Sequence, residues 1–140
     1  MASTRIPEIE QAIVSSLQAS EALSEVEIGA GLEPKSRFYI WLYKSETSRE
    51  FRGLGRRPPT LREDIKCFMR LLVTGGGQFD ELKARAYELL EVAETALRDN
   101  YKLDESVEFS RILKAVGEPI TLDQRMGYHI LFQLVGKTRI

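Results

Sequence analysis

The chain has 140 residues, of which 43% are apolar, enough for one domain with a core but too few for two. Its net charge of -1 excludes nucleic-acid binding through an overall positive charge, and its single cysteine excludes an internal disulfide. No apolar run is long enough to cross a bilayer or to serve as a signal-peptide core. We therefore expect a soluble protein, made in the cytoplasm, without membrane contact.

The first elements are a helix and two strands. Thr4 is a suitable N-cap, and apolar residues at helical spacing predict a helix that ends near Ala19. Alternation predicts a short strand over Ser24–Ile28 and another over Arg37–Tyr43. The second strand has apolar or aromatic residues on both faces, with Tyr39, Trp41 and Tyr43 on one of them. Such a strand is either covered on both sides or presents its aromatic side as an interface.

The next segment contains the first predicted exposed loop. Ser45–Ser48 predicts a turn that leads into a weaker strand over Arg49–Leu54. Adjacent prolines at the end of Gly53–Pro59 exclude regular structure there, because each proline fixes φ and removes a donor. Arg56 and Arg57 lie in this loop and are therefore candidate contact residues.

The central unit is a long strand, a glycine run and a long helix. Strict alternation over Thr60–Val73 predicts a strand with Cys67 buried on its apolar face. The run Gly75–Gly77 predicts a sharp turn. A narrow apolar stripe then predicts an amphipathic helix that ends at Asn100.

Two further strands are predicted after this helix. Alternation favours a strand over Val107–Val116, broken by Gly117-Glu118-Pro119, and indicates a long strand from about Gly127 to Lys137. Two helices and about six strands predict one α+β domain over residues 1–140. In this domain a mostly antiparallel sheet packs against one long and one short helix.

Charge is distributed unevenly along the chain. Residues 49–70 contain seven basic and three acidic side chains, whereas residues 80–108 contain nine acidic and four basic ones. Segments of opposite sign allow copies of a chain to pair head to tail, which is how rings form. The alternative is a pair of solvated faces that differ in sign and bind nothing.

The sequence contains no recognisable catalytic, metal or cofactor motif. His129 is the only histidine, and its place in an apolar strand predicts a packed or surface residue. The glycine runs lack the residues of a phosphate-binding loop. We expect no enzyme activity, because an active site would need Glu63, Asp64 and His129 to gather in one pocket. A nucleic-acid-binding module is the alternative, since arginines cluster near Trp41 and Tyr43.

The order of these parts resembles the tail-terminator (tail-completion) proteins of long non-contractile-tailed bacteriophages. The resemblance rests on the early strand Arg37–Tyr43, the strand end Phe68–Val73, the glycine-rich turn, the helix segment Arg85–Arg98 and the step Asn100–Leu103. Where many relatives have a Leu-Gly-Gly turn, this chain has Leu103-Asp104-Glu105-Ser106.

The resemblance implies a structural virion protein at the head–tail junction, assembled in the host cytoplasm. Its copies would form a homo-oligomer, expected to be a hexameric ring, that binds the tail tube protein on one side and a head-side stopper or connector protein on the other. DNA would pass through the ring without specific binding. A neighbouring neck protein, a stopper or adaptor, is the alternative. The candidate interface residues are Tyr39, Trp41, Tyr43, Arg56, Arg57, Arg70 and Glu91.

Overall fold

The computed structural model describes residues 6–32, 34, 38–52, 60–75, 78–122 and 124–139. These residues form two α-helices, a short 3-10 helix and five strands. In chain order these are α1 (Ile6–Gln18), the 3-10 helix (Glu21–Leu23), β1 (Glu27–Ala30), β2 (Phe38–Arg52), β3 (Thr60–Thr74), α2 (Phe79–Asp99), β4 (Phe109–Leu122) and β5 (Arg125–Arg139). The predicted loop Gly53–Pro59 and the glycines Gly76 and Gly77 lie outside the described residues.

The five strands form one sheet in the order β1-β2-β3-β5-β4. Only β1 and β2 pair in parallel, and the other three pairs are antiparallel. The long and short helices pack on one face of this sheet, which we call the covered face, and the opposite face is the open face. This arrangement confirms the predicted α+β class with a mostly antiparallel sheet.

The core lies between the covered face and the two helices. Alternate residues of β3, from Ile65 to Val73, point into it together with alternate residues of β5, from Tyr128 to Leu134. Cys67 belongs to this set and is buried, as predicted. The helices contribute Ile9, Ile13 and Leu17 from α1 and Leu82, Ala86, Leu89, Leu90, Ala93 and Leu97 from α2. Strict alternation was therefore sufficient to assign the faces of β3 and β5.

The prediction of a turn at Ser45–Ser48 followed by a separate strand is wrong. β2 continues from Phe38 to Arg52 and pairs with β3 along its length, with a bulge between Leu42 and Lys44. Thr47 is exposed although it lies on the covered face. This part of β2 therefore extends beyond the helices, where solvent on both sides gives a strand the polar composition of a turn.

The predicted break at Gly117-Glu118-Pro119 is also wrong. β4 continues through these residues to Leu122 and pairs with β5 throughout. β4 is a terminal strand of the sheet, and edge strands tolerate proline because one side of the ladder has no partner. A Cβ on Gly117 would lie 2.6 Å from the hydroxyl oxygens of both Tyr87 and Tyr128, so glycine is needed there for packing rather than for a turn.

The strand near residue 26 occupies Glu27–Ala30 instead of Ser24–Ile28. The described residues form five strands instead of the expected six, because β2 combines the predicted strands Arg37–Tyr43 and Arg49–Leu54.

The connection after α2 adopts left-handed backbone geometry. Asn100 ends the helix as predicted, with its amide donating to the Leu97 carbonyl. Leu103, Asp104 and Glu105 then have φ values of 45, 56 and 67°, a conformation that favours glycine. The Asn100 side chain accepts a hydrogen bond from the Asp104 amide at 3.1 Å and Leu103 is buried. These contacts stabilise a turn whose positive φ values glycine would adopt without a steric penalty.

Candidate interaction surface

The open face of the sheet carries four of the seven predicted interface residues. In β2 and β3, Tyr39 pairs with Leu72 and Trp41 pairs with Arg70. The bulge after Leu42 leaves Tyr43 beside Phe68, with ring centroids 6.4 Å apart. The structure therefore brings Tyr39, Trp41, Tyr43 and Arg70 together on one surface. Arg56 and Arg57 lie outside the described residues, and Glu91 lies on α2, on the other side of the sheet.

The three aromatic residues differ in their accessibility. Tyr39 is buried, Trp41 is partly buried and Tyr43 is exposed. The Trp41 ring lies against Gly29, where a Cβ would be 2.5 Å from the ring, and its indole nitrogen donates to the Gly31 carbonyl at 3.1 Å. The Trp41 ring is thus held against β1 and is only partly accessible. Tyr43 is the aromatic residue best placed to contact a partner.

A hydrogen-bonded chain crosses the open face beside these aromatics. The Arg70 Nε–H donates to His129 Nδ1 at 3.0 Å, and the opposite ring nitrogen lies 2.7 Å from a Glu118 carboxylate oxygen. Because arginine can only donate, Nδ1 must be the acceptor and the Nε2–H donates to Glu118. The Arg70 guanidinium also lies 6.0 Å from the centre of the Tyr39 ring. His129 is therefore packed, as predicted, and positions Arg70.

The other end of the open face forms a solvated concavity of about 430 Å³. Its lining combines charged and apolar side chains, including Glu46, Asp64, Lys66, Phe109, Arg111, Val135 and Lys137. Asp64 and Lys137 form an ion pair at 3.7 Å, and Glu46 pairs with Lys44 at 2.9 Å. These are exposed pairs that solvent can replace. This end can therefore accept a partner's side chains at little cost.

Glu91 borders a groove of about 500 Å³ between α1 and α2. The groove is lined by Ser16, Ala19, Ser20, Glu91, Val92, Thr95, Ala96 and Asp99. Two other glutamates of α2 form ion pairs on the same helix, Glu88 with Arg85 at 3.6 Å and Glu94 with Arg98 at 3.2 Å. Glu91 forms no ion pair with a described residue. The carboxylate of Glu91 is thus available to a partner.

The three residues that an enzyme was expected to need do not meet. Glu63 is buried on the covered face, and Asp64 lies on the open face beside Lys137. His129 pairs with Leu72, eight residues further along β3 than Asp64, which is roughly 25 Å of strand. In the part of the chain that is described, no group of three or more His, Cys, Asp or Glu residues could hold a metal, and no helix has the length and apolarity needed to cross a membrane.

Two groups on the covered face have shifted pKa values. Burial raises the pKa of the Cys67 thiol to about 11, because the thiolate would lose its hydration. The hydrogen bond with Tyr87, followed by burial, raises the pKa of Tyr128 to about 12. Both groups stay protonated at neutral pH and belong to the packing of the core rather than to a reactive site.

Sequence reasoning missed the Glu118 contact and one acidic region. Glu118 was assigned to a break, so its pairing with His129 across β4 and β5 was not anticipated. Residues 6–32 contain five glutamates and no lysine or arginine, a signal that could have been found by counting charges from the start of the chain. These residues form α1, the 3-10 helix and β1, and β1 is the outer strand of the sheet at the end opposite β4.

Comparisons with known proteins give a similarity of fold. No protein-family model matches the chain, and no curated protein matches it. Among solved structures, the fold is similar to that of a chain in the virion of a native gene transfer agent (GTA) particle. The TM-score is 0.52 at 10% sequence identity, over 97% of this chain and 99% of the other. The similarity therefore covers every element described above.

Proposed function

We propose that this protein is a structural virion protein whose copies form a ring that caps a phage-type tail tube. In this role it ends polymerisation of the tube and joins the tail to the connector of the head. The observation that carries the proposal is the match of nearly the whole fold to a chain of a gene transfer agent virion. The order of elements resembles that of the tail-terminator proteins, and this resemblance is why we propose a role at the end of the tube rather than elsewhere in the virion.

The surface of the molecule supports a role in assembly. The concavity on the open face and the groove between α1 and α2 lie on opposite layers, and each is bordered by charges and apolar groups. A protein that sits between two partners and its own copies needs several separate contact surfaces. Tyr43 beside the concavity and Glu91 beside the groove are the predicted residues best placed for contact.

Arg70 also makes contacts within its own sheet. Because its Nε–H is bound to His129 and its guanidinium lies near Tyr39, reversal of its charge would disturb the packing of the sheet. Glu91 makes no such contact with a described residue. A charge reversal at Glu91 therefore tests assembly, whereas one at Arg70 tests folding as well.

The proposal can be tested with purified protein and tail tubes assembled from the tube subunit of the same genome. Mass photometry should show a closed oligomer, expected to be a hexamer, and electron microscopy should show it at tube ends, where it stops elongation. A protein that stays monomeric and leaves the tubes growing would overturn the proposal. Binding to the head connector without binding to tubes would identify the stopper or adaptor instead.

A matched pair of variants tests the predicted loop. Arg56→Glu combined with Arg57→Glu should abolish capping and leave the unfolding temperature unchanged, because the sequence predicts an exposed loop at these positions. Lys83→Glu, an exposed charge reversal on α2, is the control and should cap normally. Equal capping by both variants would remove Arg56 and Arg57 from the tube contact.

A further inference from the structure

Two margins of the molecule have opposite charge. The first, which we call the β4 margin, consists of Phe109, Arg111, Leu113, Lys114 and Val116 on the outermost strand. It adjoins the concavity of the open face, which Phe109, Arg111 and Leu113 also line. The second, the α1–β1 margin, consists of residues 6–32. The strand order places β4 and β1 at opposite ends of the sheet, so that the two margins cannot meet within one chain.

The β4 margin is basic and apolar. Arg111 and Lys114 are exposed, and neither forms an ion pair with any residue that the structure describes. Phe109, Leu113 and Val116 are also exposed, Leu113 at 55%. A row of exposed apolar side chains between unpaired charges is typical of a contact surface.

The α1–β1 margin is acidic and has its own exposed apolar group. Its five glutamates are Glu8, Glu10, Glu21, Glu25 and Glu27, without a lysine or arginine between them. Four are exposed, and Glu10 accepts a hydrogen bond from Ser45 at 3.0 Å. Leu32, just after β1, is 94% exposed. The two margins thus match in charge, and each presents apolar side chains.

The outer strands are not suited to joining two sheets through their backbones. β4 has a bulge between Ile112 and Lys114 and contains Pro119, and both features prevent an edge strand from pairing with another chain. On β1, the carbonyl of Ile28 accepts a hydrogen bond from the Gln18 side chain at 3.2 Å. These features favour a contact that is made by side chains.

From these observations we infer that the β4 margin of one copy binds the α1–β1 margin of the next copy in the assembled ring. Arg111 and Lys114 lie against the glutamates of the neighbour, and Leu113 and Val116 pack near its Leu32. Because the two surfaces differ, each copy uses one margin for each neighbour, and such a head-to-tail contact forms a ring when its rotation closes, as the proposed function requires. The inference rests on the ring of the proposed function and assigns its subunit interface.

A charge-exchange experiment tests this interface. Variant A carries Arg111→Glu and Lys114→Glu, and variant B carries Glu21→Lys and Glu25→Lys. Variant A makes both margins acidic, and in variant B two lysines of the α1–β1 margin face Arg111 and Lys114 of the neighbouring copy. Each variant alone should therefore need a protein concentration at least about tenfold higher than the natural protein to assemble. An equimolar mixture of A and B should restore assembly in rings with an even number of subunits, and so should one chain that carries all four substitutions.

Circular dichroism and thermal unfolding establish that A and B are folded, and Lys83→Glu, outside both margins, should assemble normally. Assembly of A or B alone, while the natural protein forms rings, would overturn the inferred interface and leave the proposed function intact. Failure of the four-substitution chain to assemble would also overturn it. A natural protein that remains monomeric would overturn both proposals.

Discussion

Leu71 and Leu72 are neighbours on β3 that lie on opposite faces of the sheet, yet they are 0% and 2% exposed. Leu71 belongs to the core beneath the helices, whereas Leu72 does not. Leu72 lies between Tyr39 and His129 on the open face, next to the Arg70–His129–Glu118 chain. One face is thus buried by a layer of helices and the other, at one end only, by an arrangement of polar side chains. The open face accordingly has a packed end and a solvated end available for contact.

The largest expected effect tests whether the packed end of the open face behaves as core. Leu71→Ala and Leu72→Ala should each lower the free energy of unfolding by about 2–5 kcal/mol, because each leaves a cavity among buried neighbours. Chemical denaturation of the two variants measures this directly. Val135→Ala, on the same face but at the solvated end and partly buried, is the control and should cost less. A loss below about 1 kcal/mol for Leu72→Ala would show that packing on this face is loose.

The second prediction concerns the contact of Trp41 with Gly29. Gly29→Ala places a methyl group 2.5 Å from the present position of the indole ring, so the ring must move and its hydrogen bond to Gly31 is lost. The expected cost is about 1–3 kcal/mol. Trp41 is the only tryptophan, so a red shift of the intrinsic fluorescence would report the movement. Gly75→Ala, whose Cβ would make only an ordinary contact with Leu82 at 3.7 Å, should leave the spectrum unchanged.

The third prediction uses the buried thiol of the covered face. The pKa of Cys67 is raised from 9.0 to about 11, so above pH 9 the unfolded chain loses this proton while the folded chain retains it. The free energy of unfolding should therefore fall by about 1 kcal/mol between pH 8 and pH 10. Denaturation across this range measures the slope, and Cys67→Ala should reduce it. An unchanged slope in that variant would show that Cys67 is not its source.

The smallest effect is expected at the solvated end of the open face. Lys137→Ala removes the ion pair with Asp64, in which both side chains are more than a third exposed. Such pairs contribute less than about 1 kcal/mol, and salt should reduce the difference further. Unfolding at low and high ionic strength checks this. A loss comparable with that of Leu72→Ala would contradict the division of the open face into two ends.

The elements that the sequence predicted correctly are those in which one face is uniformly buried. β3, β5 and α2 have apolar residues at strict spacing, since each packs along its length on the same core. The two incorrect predictions fall where the environment changes within an element. β2 leaves the helix layer beyond Ser45, whose hydroxyl still donates to Glu10 of α1, and Gly117 of β4 lies close to two tyrosine hydroxyls. The spacing of apolar residues along the chain shows neither where a strand leaves the helix layer nor where side chains distant in sequence come into contact.

The candidate surface was only partly predictable for a related reason. Alternation placed Tyr39, Trp41 and Tyr43 on one side of a strand, and the structure confirms that they share the open face with Arg70. Their different accessibility depends on Gly29, on the bulge after Leu42 and on a histidine from β5. The inferred contact between the β4 margin and the α1–β1 margin depends on the order of strands in the sheet. This order cannot be read from the spacing of residues along the chain. It remains a prediction that these four residues of the open face, and Arg56, Arg57 and Glu91, contact a partner.

The left-handed turn at Leu103–Glu105 has a consequence for how the molecule opens. Each non-glycine residue in this conformation costs about 1–2 kcal/mol, and here the cost is offset by the buried Leu103 side chain and by the bonds of Asn100. If Leu103 left the core, the burial that offsets this conformational cost would be lost and the turn would relax. The amides that follow the turn, at the start of β4, should therefore exchange with solvent hydrogen before those of β3, and β4 should separate from the sheet first.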